Sequence, residues 1–327
     1  MKYALLSLVS LTALPAPALA DWTQPAAGIT LPDEIAGLKR GETRDLSSGK
    51  SVDTILQYGT AEEPVTLYVY RSTHPNPVLW MERTAAAMQV NVGASGSDAA
   101  AVPFTLGGAA APTGLRRAIN LPEGARFRST GVAIAQIGEW MLKLRVTSAL
   151  LDAASVSAKM DRILQVVRFD RTVPAPHPMV MPAACGDAPI VAGRPEASPD
   201  AQQVAGATRG GRTVLSAVRG GAGSLAARPD LWCRDTGSGL PADVISLYRS
   251  KSGDNYVALL GDAGVSLNIA PSPTARAGSR TMAAYAGSTV GLSLVALYDG
   301  LPEPTLAVQA ALPVLTGQQA GLATIDD

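Results

Sequence analysis

Thr54-Ile55-Leu56-Gln57-Tyr58 and Val65-Thr66-Leu67-Tyr68-Val69-Tyr70, joined by Gly59-Thr60-Ala61-Glu62-Glu63-Pro64, decide the fold class. In the second run apolar and polar residues alternate, so Val65, Leu67 and Val69 share one face of a strand and Thr66, Tyr68 and Tyr70 the other. The polar turn between the runs makes them a strand pair. Directly afterwards the period lengthens to that of a helix. Asn76 is suited to cap it, Pro77 to open it, and Val78, Met81, Ala85 and Met88 recur along one stripe to about Gln89.

Beyond the flexible break at 93–98, weaker strands are expected around Phe104 and over 115–120. A stronger hairpin spans 130–137 and 140–147 around Gly138-Glu139, with Leu142, Leu144 and Val146 alternating with Lys143, Arg145 and Thr147. Asp152 can cap a second helix, along which Val156, Met160, Ile163 and Val167 form a stripe. Residues 21–172 therefore read as an α+β unit, an antiparallel sheet whose apolar face is covered by two helices.

Closely spaced prolines at Pro174, Pro176, Pro178 and Pro182 mark a linker over 173–183, because proline can sit inside neither a sheet nor a helix. A mainly β second domain is expected over 184–316. Its strands fall at 244–250, 256–260, 265–269, 280–286, 290–298 and 306–312, with irregular chain and one short helix near Asp200 over 186–227. Residues 317–327 read as a C-terminal tail. The likeness of 64–72 to 243–250 is confined to one strand each and follows from alternation alone.

Lys2, the apolar run 4–14, Pro15, Pro17 and the small-x-small Ala18-Leu19-Ala20 have the layout of a signal peptide over 1–20, with cleavage between Ala20 and Asp21. The apolar run is too short to span a bilayer. No cysteine follows the cleavage site, so a soluble mature form with no membrane anchor is expected, periplasmic or secreted. The chain of 327 residues carries 27 basic and 27 acidic side chains; without a basic field, nucleic acid is not an expected partner. Its two cysteines, Cys185 and Cys233, are expected to form a disulfide in an oxidising compartment. They are too far apart for a redox motif and lack further ligands for a metal site.

Catalytic motifs fail on inspection. Gly49-Lys50-Ser51 ends like a phosphate loop, yet Arg44 stands where its leading glycine belongs; Ser47-Ser48-Gly49-Lys50 and Lys251-Ser252-Gly253 faintly fit two elements of penicillin-recognising enzymes, but no Ser-x-Asn lies between them and they fall in separate expected domains. Gly221-Ala222-Gly223-Ser224-Leu225-Ala226 follows the strand-like Thr213-Val214-Leu215, but Arg228-Pro229 would stop the helix a dinucleotide loop needs. The two histidines, His74 and His177, each lie near proline in an expected loop or linker. No cofactor, metal or catalytic residue is assigned. Tyr68 and Tyr70, with Arg71 and, on the other alternating strand, Lys143 and Arg145, are the candidate partner surface for an anionic or peptide ligand.

Leu31-Pro32, Gly37, the strand to Tyr70, the helix bearing Trp80, Trp140-Met141-Leu142-Lys143-Leu144-Arg145 and the closing helix together resemble, in order and texture, the PsbP/Mog1-like α/β sandwiches. The resemblance covers at most 21–170. It implies a non-catalytic accessory protein and carries no active-site residue to transfer. The chain thus reads as an exported binding or accessory protein acting on an envelope protein, peptide or small molecule; the alternative is a periplasmic hydrolase with an unrecognised site.

Overall fold

Both alternating runs form the expected hairpin, and each lengthens by a residue at both ends in the computed structural model. That structure describes residues 20–50, 52–91, 100–107, 109, 111–170, 179–186, 193–195, 199–219, 231–262, 264–272, 281–289 and 291–325. The elements of the first unit are β1 (Trp22–Gln24), β2 (Ile29–Leu31), β3 (Glu34–Ile35), β4 (Leu38–Asp45), β5 (Asp53–Gly59), β6 (Pro64–Arg71), α1 (Pro77–Asn91), β7 (Val102–Phe104), β8 (Gly114–Asn120), β9 (Ser129–Ile137), β10 (Trp140–Ser148), α2 (Ala153–Gln165) and β11 (Arg168–Phe169). Then follow α3 (Ala201–Arg219), β12 (Trp232–Asp235), β13 (Ile245–Ser250), β14 (Tyr256–Leu260), β15 (Val265–Pro271), β16 (Met282–Ser288), β17 (Gly291–Tyr298), α4 (Pro304–Leu315) and β18 (Ala323–Ile325). Most of the leader over 1–20, the core of the proline linker with His177, and the 221–226 loop lie outside the described residues.

The first sheet is antiparallel with strand order β3-β4-β5-β6-β10-β9-β8-β7, and β1-β2-β11 form a small separate sheet. The two helices cover the main sheet from opposite faces, not from one. Along β9, Ala133, Ala135 and Ile137 pack with Val156, Met160 and Ile163 of α2. Val132 and Ile134 pack instead with Val78, Leu79 and Met81 of α1. Asp152 caps α2 by accepting from the Ser155 amide at 2.8 Å, and Asn76 caps α1 by accepting from Val78 and Leu79 at 3.0 and 3.2 Å.

The second sheet is a meander, β12 to β18 in chain order. Tyr248, Val257 and Leu259 on one of its faces join the α1 cluster, while α3 covers the β16–β18 end of that same face. The opposite face packs on α4 through Ala307, Val308 and Ala311. Helix α1 is therefore a shared middle layer buried nearly all round, its apolar side chains joined on the side of the second unit by Glu82, which accepts from Tyr248 and Arg234, and Arg83, which donates to the Gly261 and Ala242 carbonyls. Val78, Leu79, Trp80 and Met81 are each no more than 1% exposed. Burial of that kind stabilises by about 1.5–3 kcal/mol per side chain, so the second sheet is part of what holds α1.

Three expectations are corrected. The 306–312 run is helix α4, not a strand: Pro304 occupies the first turn, and the buried Pro304, Ala307, Val308 and Ala311 recur at helical spacing. The region near Asp200 holds the 19-residue α3, which includes Thr213-Val214-Leu215. Its start is a reciprocal cap in which the Gln203 amide donates to Asp200 Oδ1 and the Asp200 amide to Gln203 Oε1, both at 2.8 Å. Gly211 lets α3 approach the sheet: a Cβ there would lie 2.2 Å from Ile325 Cδ1. Within the stretch read as a tail, Ala323–Ile325 pairs with β17 as the sheet's last strand.

Cys185 and Cys233 form the expected disulfide. Around it the chain at 183–185 lies along the outer edge of β12, where the Arg234 amide donates to the Ala183 carbonyl and the Cys185 amide to the Arg234 carbonyl, each at 2.8 Å. An otherwise open sheet edge is thereby covered.

Candidate functional site

Strand register assigns the residues of the expected partner surface to different places. Tyr68 stands opposite Lys143, Tyr70 opposite Met141 and Thr66 opposite Arg145, so Tyr68, Tyr70, Lys143 and Arg145 share the face of the first sheet that looks toward α1. Arg71, one residue further along β6 and opposite Trp140, belongs to the other face.

The second unit then divides the four that remain. The β14–β15 turn reaches over the sheet: a Cβ on Gly264 would lie 3.2 Å from the Tyr70 ring, and Asp262 pairs with Lys143. Tyr70 and Lys143 are consequently buried, at 0% and 1% exposed. They serve contact within the chain, which corrects their assignment to an external partner surface. Burial pushes the Lys143 ammonium below its usual pKa, against the pull of the Asp262 carboxylate.

Arg145 stays exposed, and Tyr68 stays half-buried at the margin of the α1 cluster. Both line an open groove of about 280 Å³. Its floor is Thr66 and Tyr68 of β6, Arg145 and Thr147 of β10 and Thr130 of β9; one end is Pro64. Leu121 and Phe127, from the loop between β8 and β9, supply the overhanging apolar wall. The Thr130 and Thr147 hydroxyls are 2.9 Å apart and hydrogen-bonded. The Arg126 guanidinium lies 4.9 Å from the Phe127 ring centroid and steadies that wall.

Among the described residues Arg145 is the one charged residue lining the groove. It is exposed, and among the described residues neither a hydrogen bond nor an ion pair engages its guanidinium. Tyr68 links the groove to the unit interface, since Lys143 Nζ sits 5.7 Å from its ring centroid. Burial, with Asp262, raises the Tyr68 pKa, and Arg145 acts in the opposite direction; at neutral pH the phenol keeps its proton and can donate a hydrogen bond. Of these groove residues, the alternating pattern alone points to Thr66 and Thr147. Thr130 needs the cross-strand register, and Leu121 and Phe127 carry no local signal.

The other chemistry-bearing residues lie apart. His74 is buried beside Trp232, with ring centroids 5.8 Å apart at 75°. Burial lowers its pKa to about 4, with the neighbouring Asn268 side chain acting the other way. Ser47 and Lys50 belong to the β4–β5 turn, where the Ser47 hydroxyl accepts from the Val52 amide at 3.0 Å. Ala20 and Asp21 are exposed at the first described positions; the Ala20 carbonyl accepts from Arg40 and Asp21 pairs with Arg168. Among the described residues no group of three or more His, Cys, Asp or Glu side chains is placed to hold a metal ion, and no helix is long and apolar enough to cross a membrane.

Neither a protein family nor a curated protein sequence matches this chain. A crystal structure from Bacteroides thetaiotaomicron aligns over 77% of this chain and 87% of its own at 8% identity, with a TM-score of 0.27, a likeness too low to argue from.

Proposed function

We propose that this chain is an exported, non-catalytic binding or accessory protein of the bacterial periplasm, and that the groove around Arg145 is its working surface. The observation that carries the proposal is an exposed guanidinium on the sheet floor that, among the described residues, no hydrogen bond or ion pair engages, set between an apolar wall and hydroxyl groups. Binding sites pair apolar lining with a few placed polar groups in this way. The disulfide accords with an oxidising compartment. The sequence resemblance of the first unit to non-catalytic sandwich proteins points the same way.

Filling the groove tests the proposal. Native mass spectrometry of protein isolated gently from the periplasm should show a bound small molecule that is absent from Thr66→Trp, while both variants melt alike. Equal occupancy in the two would place binding elsewhere. Turnover of an esterase, peptidase or glycosidase substrate, abolished by one Ser, Asp or Glu substitution, would replace the proposal with a hydrolase.

A further inference from the structure

The groove's charge pattern narrows what it can hold. Among the described residues its lining contains one cation, Arg145, and no carboxylate. On the same face Lys143 is already committed to Asp262, and Arg44, in register with Tyr68 across β5, pairs with Glu42 at 3.4 Å outside the lining. The planar guanidinium presents a fork that matches a carboxylate's two oxygens. A dianion such as a phosphomonoester would find only half of its charge compensated by the lining. The remainder of the site is Phe127 and Leu121 on the wall with the Tyr68 ring and threonine hydroxyls on the floor, which suits a compact apolar or aromatic body bearing little further charge.

We propose that the groove binds a small organic monocarboxylate, with the carboxylate on Arg145 and an apolar or aromatic body between Phe127 and Tyr68. This deepens the functional proposal above and rests on it. The Tyr68 phenol, protonated at neutral pH, stands beside the same space as a hydrogen-bond donor.

Matched probes test the two proposals separately. Phenylacetate, phenylacetamide, phenethylamine and phenyl phosphate share a phenyl ring and differ in the charged group; amide NMR shifts of β6, β9 and β10 report where each one binds. Phenylacetate is expected to shift groove resonances, with the amide and the amine on the order of tenfold weaker or worse. Arg145→Gln, at an exposed position, should weaken phenylacetate at least about tenfold while leaving the amide unchanged. Equal binding of amide and carboxylate, or indifference of phenylacetate to Arg145→Gln, overturns the carboxylate assignment and leaves the groove as a binding site. Tighter binding of phenyl phosphate would overturn the monoanion preference. If no probe shifts a groove resonance, both proposals fall.

Discussion

Lys143 Nζ donates to both the side chain and, at 2.9 Å, the backbone carbonyl of Asp262, so a strand of the first sheet is tied to a turn of the second. The lysine side chain is 1% exposed and the aspartate 50%. The partners therefore differ in what their loss leaves behind. Removing Asp262 strands a buried ammonium, whereas removing Lys143 frees a carboxylate that water can reach. Asp262→Ala should cost about 2 kcal/mol, a figure held down by the exposure of the carboxylate and by the carbonyl that still accepts. Lys143→Met should cost less, and the double variant should be more stable than Asp262→Ala alone. Urea denaturation of the three variants is the check; an additive double would show that the pair is not coupled.

The units also meet where Thr73 and Ser266 share a hydrogen bond of 2.9 Å across the interface. Gly287 lies against this pair: a Cβ there would sit 2.0 Å from Thr73 Oγ1 and 3.0 Å from Ser266 Oγ. Gly287→Ala should destabilise by about 2 kcal/mol through overpacking, and Thr73→Ala should recover part of the loss in the double variant. A melting temperature unchanged by Gly287→Ala would mean that the interface is looser than this contact requires.

Two buried or half-buried groups give opposite pH dependences over almost the same range. His74 has its pKa lowered from 6.5 to about 4 by burial, so the unfolded chain takes up the proton first. Its contribution is complete above pH 6.5 and is lost as pH falls through 4, amounting to about 3 kcal/mol. Asp53 is raised from 3.8 to about 6, by burial and then by Asp45, so here the folded chain takes up the proton first. Its ionisation weakens the fold as pH rises through 6, and that penalty is absent below 3.8.

Measured against the native protein, His74→Gln should improve as pH falls from 6.5 to 4. Asp53→Asn should be stabilising at pH 7 and lose that advantage by pH 4. Urea midpoints across this range separate the two; variants that track the native curve in parallel would disprove both assignments.

Replacing Cys185 and Cys233 with serine removes a crosslink across a sequence separation of 48. The loop-entropy model puts the loss at up to about 4 kcal/mol. Because the bond sits beside the covered edge of β12, the amides of Cys185 and Arg234 should lose hydrogen-exchange protection before those of β14 do. Uniform loss across the second sheet would instead mean that the edge does not open by itself.

The sequence was legible wherever the determining interaction is local. Alternation in β6 and β10 placed each residue on its face, Asn76 and Asp152 identified helix starts, and two lone cysteines identified their own pairing. Local period failed at α4, where a short apolar run suits a strand or a helix and packing of Ala307, Val308 and Ala311 on the second sheet decides. It failed at α3, where Gly211, which lowers helix propensity, is accepted for a close approach to Tyr285 and Ile325.

For the candidate site, alternation put Tyr68, Tyr70, Lys143 and Arg145 on one face and could take the matter no further. Which of them meets water depends on a turn 119 residues away in the chain, since Asp262 arrives beside Lys143 only once the second sheet has docked on α1. Periodicity sets the direction of a side chain, because it is a property of the backbone's own repeat. Burial is set by whatever distant segment packs there, and that is why the tertiary structure alone turned half of the patch into an interface and left the other half as a groove.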